Sequence, residues 1–316
     1  RIRSYFKSKG GNMPENNLKQ AMLPVGGTVF ENNHGTAPGA ALEKNGKCVI
    51  ILPGPPGELA PMFNESVRGF LKKYSDGAIV SHTVNIIGMG ESSVAEEIED
   101  MFDAKNPTVA PYAKSGEVRL RITAKAETAD EADKMCSPVV DEICSRLGDV
   151  VYGTDMNSIE ERVVALLKEK GKKIATAESC TAGYIPKRLT DIPGASEVFE
   201  CGIVSYSNDI KTKLLGVSPK TLETYGAVSE QTAREMALGA KHVSGADIAI
   251  STTGLAGPGG DGVLPGGLSF AAVTDGERTV VEKIVTGHEN DREYNRYVTA
   301  SRALNLVRLM LEEKIK

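Results

Sequence analysis

The apolar run GKKIATA (171–177) breaks off into Glu178, Ser179, Cys180 and Thr181, and YIPKRLTDI (184–192) then carries its apolar residues at helical spacing. A β-favouring run that stops in a polar turn and restarts as a helix is the unit from which α/β layers are built. The alternation continues downstream. CGIVSYS reads as a strand, DIKTKLLGV and PKTLETYG as short helices, 230–243 as a helix capped by Ser229, and ADIAIST as another buried strand. LSFAAVTDGERTVVEKIVTG reads as a hairpin turning at Asp275 and Gly276, and a long amphipathic helix runs from Asp291. Upstream, Ser158 and Glu161 form a capping box before a helix whose apolar face is Ile159, Val163, Leu166 and Leu167. This order predicts a three-layer α/β domain over 154–316, with a mostly parallel sheet.

At 316 residues the chain exceeds one ordinary core, and two further blocks precede this domain. Residues 76–153 read β-α-β-β-α-β, a small α+β module. Its strand EVRLRITAKA sets Val118, Leu120 and Ile122 against Arg119, Arg121 and Thr123; its first helix, ESSVAEEIEDMF, takes Ser92 or Ser93 as N-cap; its second tolerates a kink at Pro138. In residues 1–75 an apolar strand, Cys48 to Leu52, runs into a turn forced by Pro53, Gly54, Pro55, Pro56 and Gly57, and a helix follows from Glu58 to Leu71.

Net charge of −5 argues against a broad nucleic-acid surface, and no apolar run approaches the roughly 20 residues that span a bilayer. Five cysteines without CxxC spacing indicate a reduced, cytoplasmic protein, and four scattered histidines offer no metal site. The chain opens on Arg1 rather than Met, which reads as a fragment or processed form, and shows no secretion leader.

In open α/β sheets, ligands collect where strands end and loops meet helix N-termini. Two loops fall there, 178–183 and 252–267. The second is glycine-rich, which lets backbone N–H groups approach a phosphate; a flexible surface loop would look the same, and the P-loop and dinucleotide patterns are not matched. Ser179 is a candidate nucleophile beside a helix N-terminus, although position alone favours a plain N-cap, as it does for Thr181. Cys180 is the rival nucleophile, because a helix N-terminus lowers a thiol pKa. No histidine lies in a comparable loop to serve as base. Lys211, following Tyr206 in YSNDIK, is the alternative: a desolvated lysine falls from about 10.4 towards about 7–8 and accepts a serine proton, whereas a solvated one does not.

TAESCTAG, GIVSYSNDIKTKLLGV, GAVSEQTAREMA and TTGLAGPGG together resemble the C-terminal domain of the competence/damage-inducible CinA family, whose members hydrolyse the amide of nicotinamide mononucleotide. PENNLKQAMLP, NNHGTAPGAAL and LPGPPGE resemble the second half of the family's molybdopterin-binding-like domain, and the middle block its KH-like domain. The resemblance implies a cytoplasmic amidohydrolase of pyridine nucleotide recycling, with Ser179 as nucleophile and Lys211, assisted by Tyr206, as base. It implies substrate contacts from Glu178, Cys180, Thr181, Thr253, Gly254, Gly257 and Arg292, the last suited to bidentate phosphate contact. It further implies a homodimer, and no metal or cofactor for the amidase. Two departures stand out. Ala182 replaces a glycine of the family's ESCTGG. The first half of the molybdopterin-like domain, seat of the family's metal-dependent ADP-ribose pyrophosphatase, is missing from the sequence, so that activity is not expected. Pyrophosphatase through a complete N-terminal domain, and a non-catalytic partner in competence or DNA damage, remain the alternative readings.

Overall fold

The computed structural model describes residues 1–315, and Gly77 divides them into two units. In the first, α1 (Ile2–Ser8) precedes an antiparallel sheet of β1 (Thr28–Phe30), β2 (Gly39–Lys44) and β3 (Lys47–Ile51). The proline- and glycine-rich turn after β3 leads into α2 (Pro56–Met62), a π turn and α3 (Arg68–Leu71), so the helix expected to end at Leu71 does so. Met62 and Val67 from this helical stretch bury against Phe30 and Ala41.

The chain from Ala78 onward is one unit, although its sequence reads as two blocks meeting at 153/154. Its first part comprises β4 (Ala78–Ile87), α4 (Glu91–Glu97), β5 (Thr108–Lys114), β6 (Glu117–Ala126), α5 (Ala129–Leu147) and β7 (Val151–Thr154). The strands form an antiparallel sheet in the order β5-β6-β4-β7. Alternation along β6 buries Val118, Leu120 and Ile122, which join Val84, Ile86, Ile143 and Leu147 in one core. Helix α4 starts two or three residues earlier than expected: Gly90 is its N-cap, and Ser92 and Ser93 lie inside its first turn. Helix α5 opens with a full capping box between Thr128 and Glu131 and continues through Pro138.

The second part contains α6 (Ile159–Glu169), β8 (Ile174–Glu178), α7 (Tyr184–Thr190), β9 (Phe199–Val204), α8 (Asn208–Leu215), α9 (Pro219–Tyr225), α10 (Glu230–Ser244), β10 (Ile248–Gly254), β11 (Leu268–Thr274), β12 (Thr279–Val285) and α11 (Arg292–Leu311). The sheet order is β12-β11-β10-β8-β9. Strand β8 pairs parallel with β9 and β10, whereas β11 and β12 run antiparallel, so the sheet is mixed rather than mostly parallel. The reason is local: the loop 255–267 after β10 holds no helix and sends the chain back as an antiparallel neighbour instead of through a crossover helix. Helix α10 covers one face with α8 and α9 beside it; α11, α6 and α7 form the other layer.

Helix α11 also departs from the amphipathic expectation. Nearly every residue from Val298 to Leu311 is buried, Arg308 completely. Its inner side packs on β10 and β11, and its outer side is covered as well. Arg308 donates to the carbonyls of Asp149 (2.7 Å) and Val151 (3.3 Å), and a Cβ on Gly116 would come within 2.9 Å of Val298. A helix covered on both sides has no solvent stripe to display.

Candidate active site

Strand β8 is buried along its whole length between its two parallel neighbours, and its last residue delivers the turn that begins at Ser179. Backbone bonds fix both sides of this exit: Ser179 N–H donates to Thr252 O (2.9 Å) and Ser205 N–H to Glu178 O (2.8 Å). The chain beyond β8 therefore emerges between the ends of β9 and β10, the crevice where open α/β sheets bind ligands.

Lys211 reaches this point from α8, whose N-cap Ser207 accepts a bond from the Ile210 amide. The lysine is 1% exposed, and its Nζ lies 3.2 Å from Ser179 Oγ, 2.9 Å from Ser205 O and 3.3 Å from Tyr206 O. Burial holds its pKa below the ordinary lysine value against a weaker opposing pull from Cys180. Burial pushes the Cys180 side chain the other way, up to about 12, so at neutral pH it is a thiol and not a thiolate.

The turn itself is tight. Ala182 and Gly183 are both left-handed, with φ of 49° and 87°, and α7 begins only at Tyr184, so neither Ser179 nor Thr181 caps it. Glu178 points beneath this turn: Oε2 accepts the Ile185 amide (3.2 Å), Oε1 has no partner among the described residues, and burial raises its pKa. The hydroxyl of Thr181 pairs with that of Thr252 (2.6 Å), and Thr253 donates to Ala227 O (2.6 Å); both residues are buried. Thr181 and Thr253, expected on the substrate, thus have their hydroxyls committed to holding loops together, and Glu178, also expected there, commits one carboxylate oxygen to the Ile185 amide.

A cavity of about 180 Å³ opens beside Cys180, bounded by Tyr206, Arg292 and the loop from Gly254 to Gly260. Arg292 donates to Gly257 O (2.8 Å) and approaches the Tyr206 hydroxyl (3.4 Å), so the Tyr206 ring stands at the mouth while its carbonyl holds Lys211. Tyr206, expected to assist the base, meets Lys211 through its carbonyl, while its hydroxyl faces Arg292. Close packing explains the two site glycines. A Cβ on Gly254 would sit 2.4 Å from Ser269 Cβ, and one on Gly257, at φ 89°, would sit 2.3 Å from Glu289 O. At these two positions the chain is a fitted wall, while residues 260–263 further along the loop are exposed. A larger cavity, about 650 Å³, lies in the first unit near Tyr5 and Leu18, but the buried amine–hydroxyl pair is here.

Family comparison agrees with this architecture. The CinA C-terminal domain model matches residues 156–311, and the damage-inducible protein CinA KH domain model matches 81–153. A putative competence-damage inducible protein of Clostridium beijerinckii is 53% identical over 92% of this chain and 72% of its own length. The chain belongs to the CinA family. A CinA-like protein of Desulfovibrio desulfuricans is 46% identical over 98% of this chain and 73% of its own length. A crystal structure of the competence/damage inducible protein CihA from Agrobacterium tumefaciens is 38% identical, covering 49% of this chain and 93% of that one with a TM-score of 0.47.

Two residues of this CinA-family chain support the site without standing out in its sequence. Buried Asn295 donates to Ala256 O (2.9 Å) and His288 O (2.7 Å), pinning the glycine-rich loop. Arg296 donates to Thr181 O (2.7 Å), bracing the turn after Ser179. With Arg292 they sit three and four residues apart at the start of α11, and that spacing on one helix face is the only signal the sequence offers. Among the described residues, no helix is long and apolar enough to cross a membrane.

Proposed function

We propose that this chain is a nicotinamide-nucleotide amidohydrolase, which converts nicotinamide mononucleotide to nicotinate mononucleotide and ammonia through an ester on Ser179. The observation that carries the reading is the buried Lys211 amine 3.2 Å from Ser179 Oγ. A neutral amine has N–H groups to donate and one lone pair. Donation to the Ser205 and Tyr206 carbonyls leaves the lone pair for the Ser179 hydroxyl. Burial favours that neutral form.

Ser179 Oγ attacks the carboxamide carbon while its proton passes to Lys211 Nζ, and the carbonyl oxygen becomes an oxyanion received by backbone amides at the Cys180 turn and the glycine-rich loop. Collapse of the adduct breaks the C–N bond, and Lys211 returns the proton so that ammonia leaves. Water then attacks the ester and gives a proton to Lys211; Ser179 departs with that proton and the carboxylate product is freed. The pair supplies nucleophile and base, so the proposed steps draw on no metal or cofactor.

A cavity of about 180 Å³ is below the roughly 300–1,000 Å³ of ordinary ligand pockets and suits the pyridine-carboxamide end of the nucleotide. The phosphate then lies towards the rim, where Arg292 is exposed. Ser179→Ala is expected to lose about 10⁴-fold or more in kcat, while Cys180→Ala keeps most of it. The reverse pattern would overturn the assignment. Family likeness also supports a homodimer, which light scattering would check.

A further inference from the structure

The outer side of α11 is covered by the β5–β6 hairpin, and at their contact lies a buried carboxylate with no part in the proposed chemistry. Glu117, the first residue of β6, is 5% exposed. One oxygen accepts from the Tyr152 hydroxyl (2.9 Å), the other from the Tyr297 hydroxyl on α11 (3.1 Å), and Lys114 Nζ stands 3.7 Å away. Burial, then Glu117, raises the pKa of both phenols, so each remains a donor throughout the working pH range.

Tyr297 connects inward. Its ring lies under the Arg188 guanidinium at 4.7 Å and meets the Tyr184 ring edge-on with centroids 6.4 Å apart. Both partners are on α7, the helix that begins where the Ser179 turn ends. Arg188 is itself fixed by Glu160 (2.8 Å) and Ser301 (2.8 Å). Arg296, the neighbour of Tyr297, stacks over Tyr184 at 5.5 Å and donates to Thr181 O. An unbroken series of contacts therefore runs from the middle sheet to the backbone of the turn carrying Ser179. A rigid, packed series of this kind transmits displacement, because cores are not continuously deformable.

We infer that the middle module braces the active site, with Glu117 and Tyr297 as positioning residues that set the Ser179–Gly183 turn through Arg296. The inference rests on the amidase reading for its kinetic test. It gives the middle module a role in catalysis that needs no nucleic acid.

The test uses the full chain and two variants that each remove one hydroxyl from the same carboxylate. Tyr297→Phe keeps the ring and its stacking but frees α11 from Glu117; Tyr152→Phe removes the hydroxyl that comes from β7. For nicotinamide mononucleotide, Tyr297→Phe is expected to lower kcat about tenfold with KM changed by less than about twofold, and Tyr152→Phe to leave both within about twofold. Amide hydrogen exchange over 179–184 and 292–296 should quicken in Tyr297→Phe and not in Tyr152→Phe. Equal effects of the two variants would mean general destabilisation and overturn the brace, as would unchanged exchange at 179–184 in Tyr297→Phe. If the parent chain releases no ammonia, the amidase reading falls, and the exchange comparison alone decides the brace.

Discussion

Replacing Ala182 with glycine should stabilise the chain. Ala182 has φ of 49°, in the left-handed region, and is followed by Gly183 at 87°. An L-residue held there costs roughly 1–2 kcal/mol, and glycine relieves it. Against this, glycine gives the unfolded chain about 0.4–1 kcal/mol of extra conformational freedom. Ala182 is exposed, so removing its methyl forfeits little buried surface. The net is about 0.5–1 kcal/mol in favour of glycine, or roughly 1–4 °C in Tm for a unit of this size. Thermal and urea unfolding would read it, with the urea midpoint raised and the slope unchanged. Since the backbone path is kept, kcat should stay within about twofold. A lower Tm, or a collapse of activity with the fold intact, would refute the reasoning, because it would mean that alanine rather than the surrounding contacts defines the turn.

Lys211→Arg should abolish turnover by about 10⁴-fold, since guanidinium stays charged at every accessible pH; the parent rate should rise with pH through the depressed lysine pKa, and an Arg variant matching it in height and shape would exclude the base role. Arg292→Ala should raise KM for nicotinamide mononucleotide roughly 10–100-fold while leaving KM for the dephosphorylated nucleoside unchanged, and equal losses on both would remove Arg292 from the phosphate. The third concerns His82, whose ring bonds Asp155 (2.6 Å) and Asp133 (2.9 Å), the Asp155 bond chiefly raising its pKa. Its contribution to stability is complete below the unfolded value of about 6.5 and is lost as pH rises through the higher folded value, so the parent should lose Tm across that window and His82→Gln should not. Parallel Tm profiles would show that the cluster does not couple to folding.

The elements were legible where one face alternates or one cap is strong: β6 through Val118, Leu120 and Ile122, and α10 through Ser229, which accepts the Thr232 amide. They were less so where distant segments decide. Helix α11 looked amphipathic because nothing local says that Gly116 and Asp149, far earlier in the chain, close over its outer side. The Ser179–Lys211 pair is suggested by strand-end positions, by the lack of a histidine in a comparable loop and by the family resemblance, without any sequence measure of burial or distance. The side chains of Glu178, Thr181 and Thr253 resisted reading because strand alternation and tertiary contacts set their direction. Beyond their spacing from Arg292, nothing in the sequence singles out Asn295 and Arg296, whose roles depend on their carbonyl partners, Ala256 and Thr181.

The most direct test of the amidase reading is to incubate the purified chain with nicotinamide mononucleotide and a strong chelator, and to measure ammonia and nicotinate mononucleotide together. The account predicts equimolar release of both by the parent chain, and neither above background with Ser179→Ala. It is contradicted if the parent releases no ammonia, if turnover appears only when a divalent ion is restored, or if Ser179→Ala is as active as the parent.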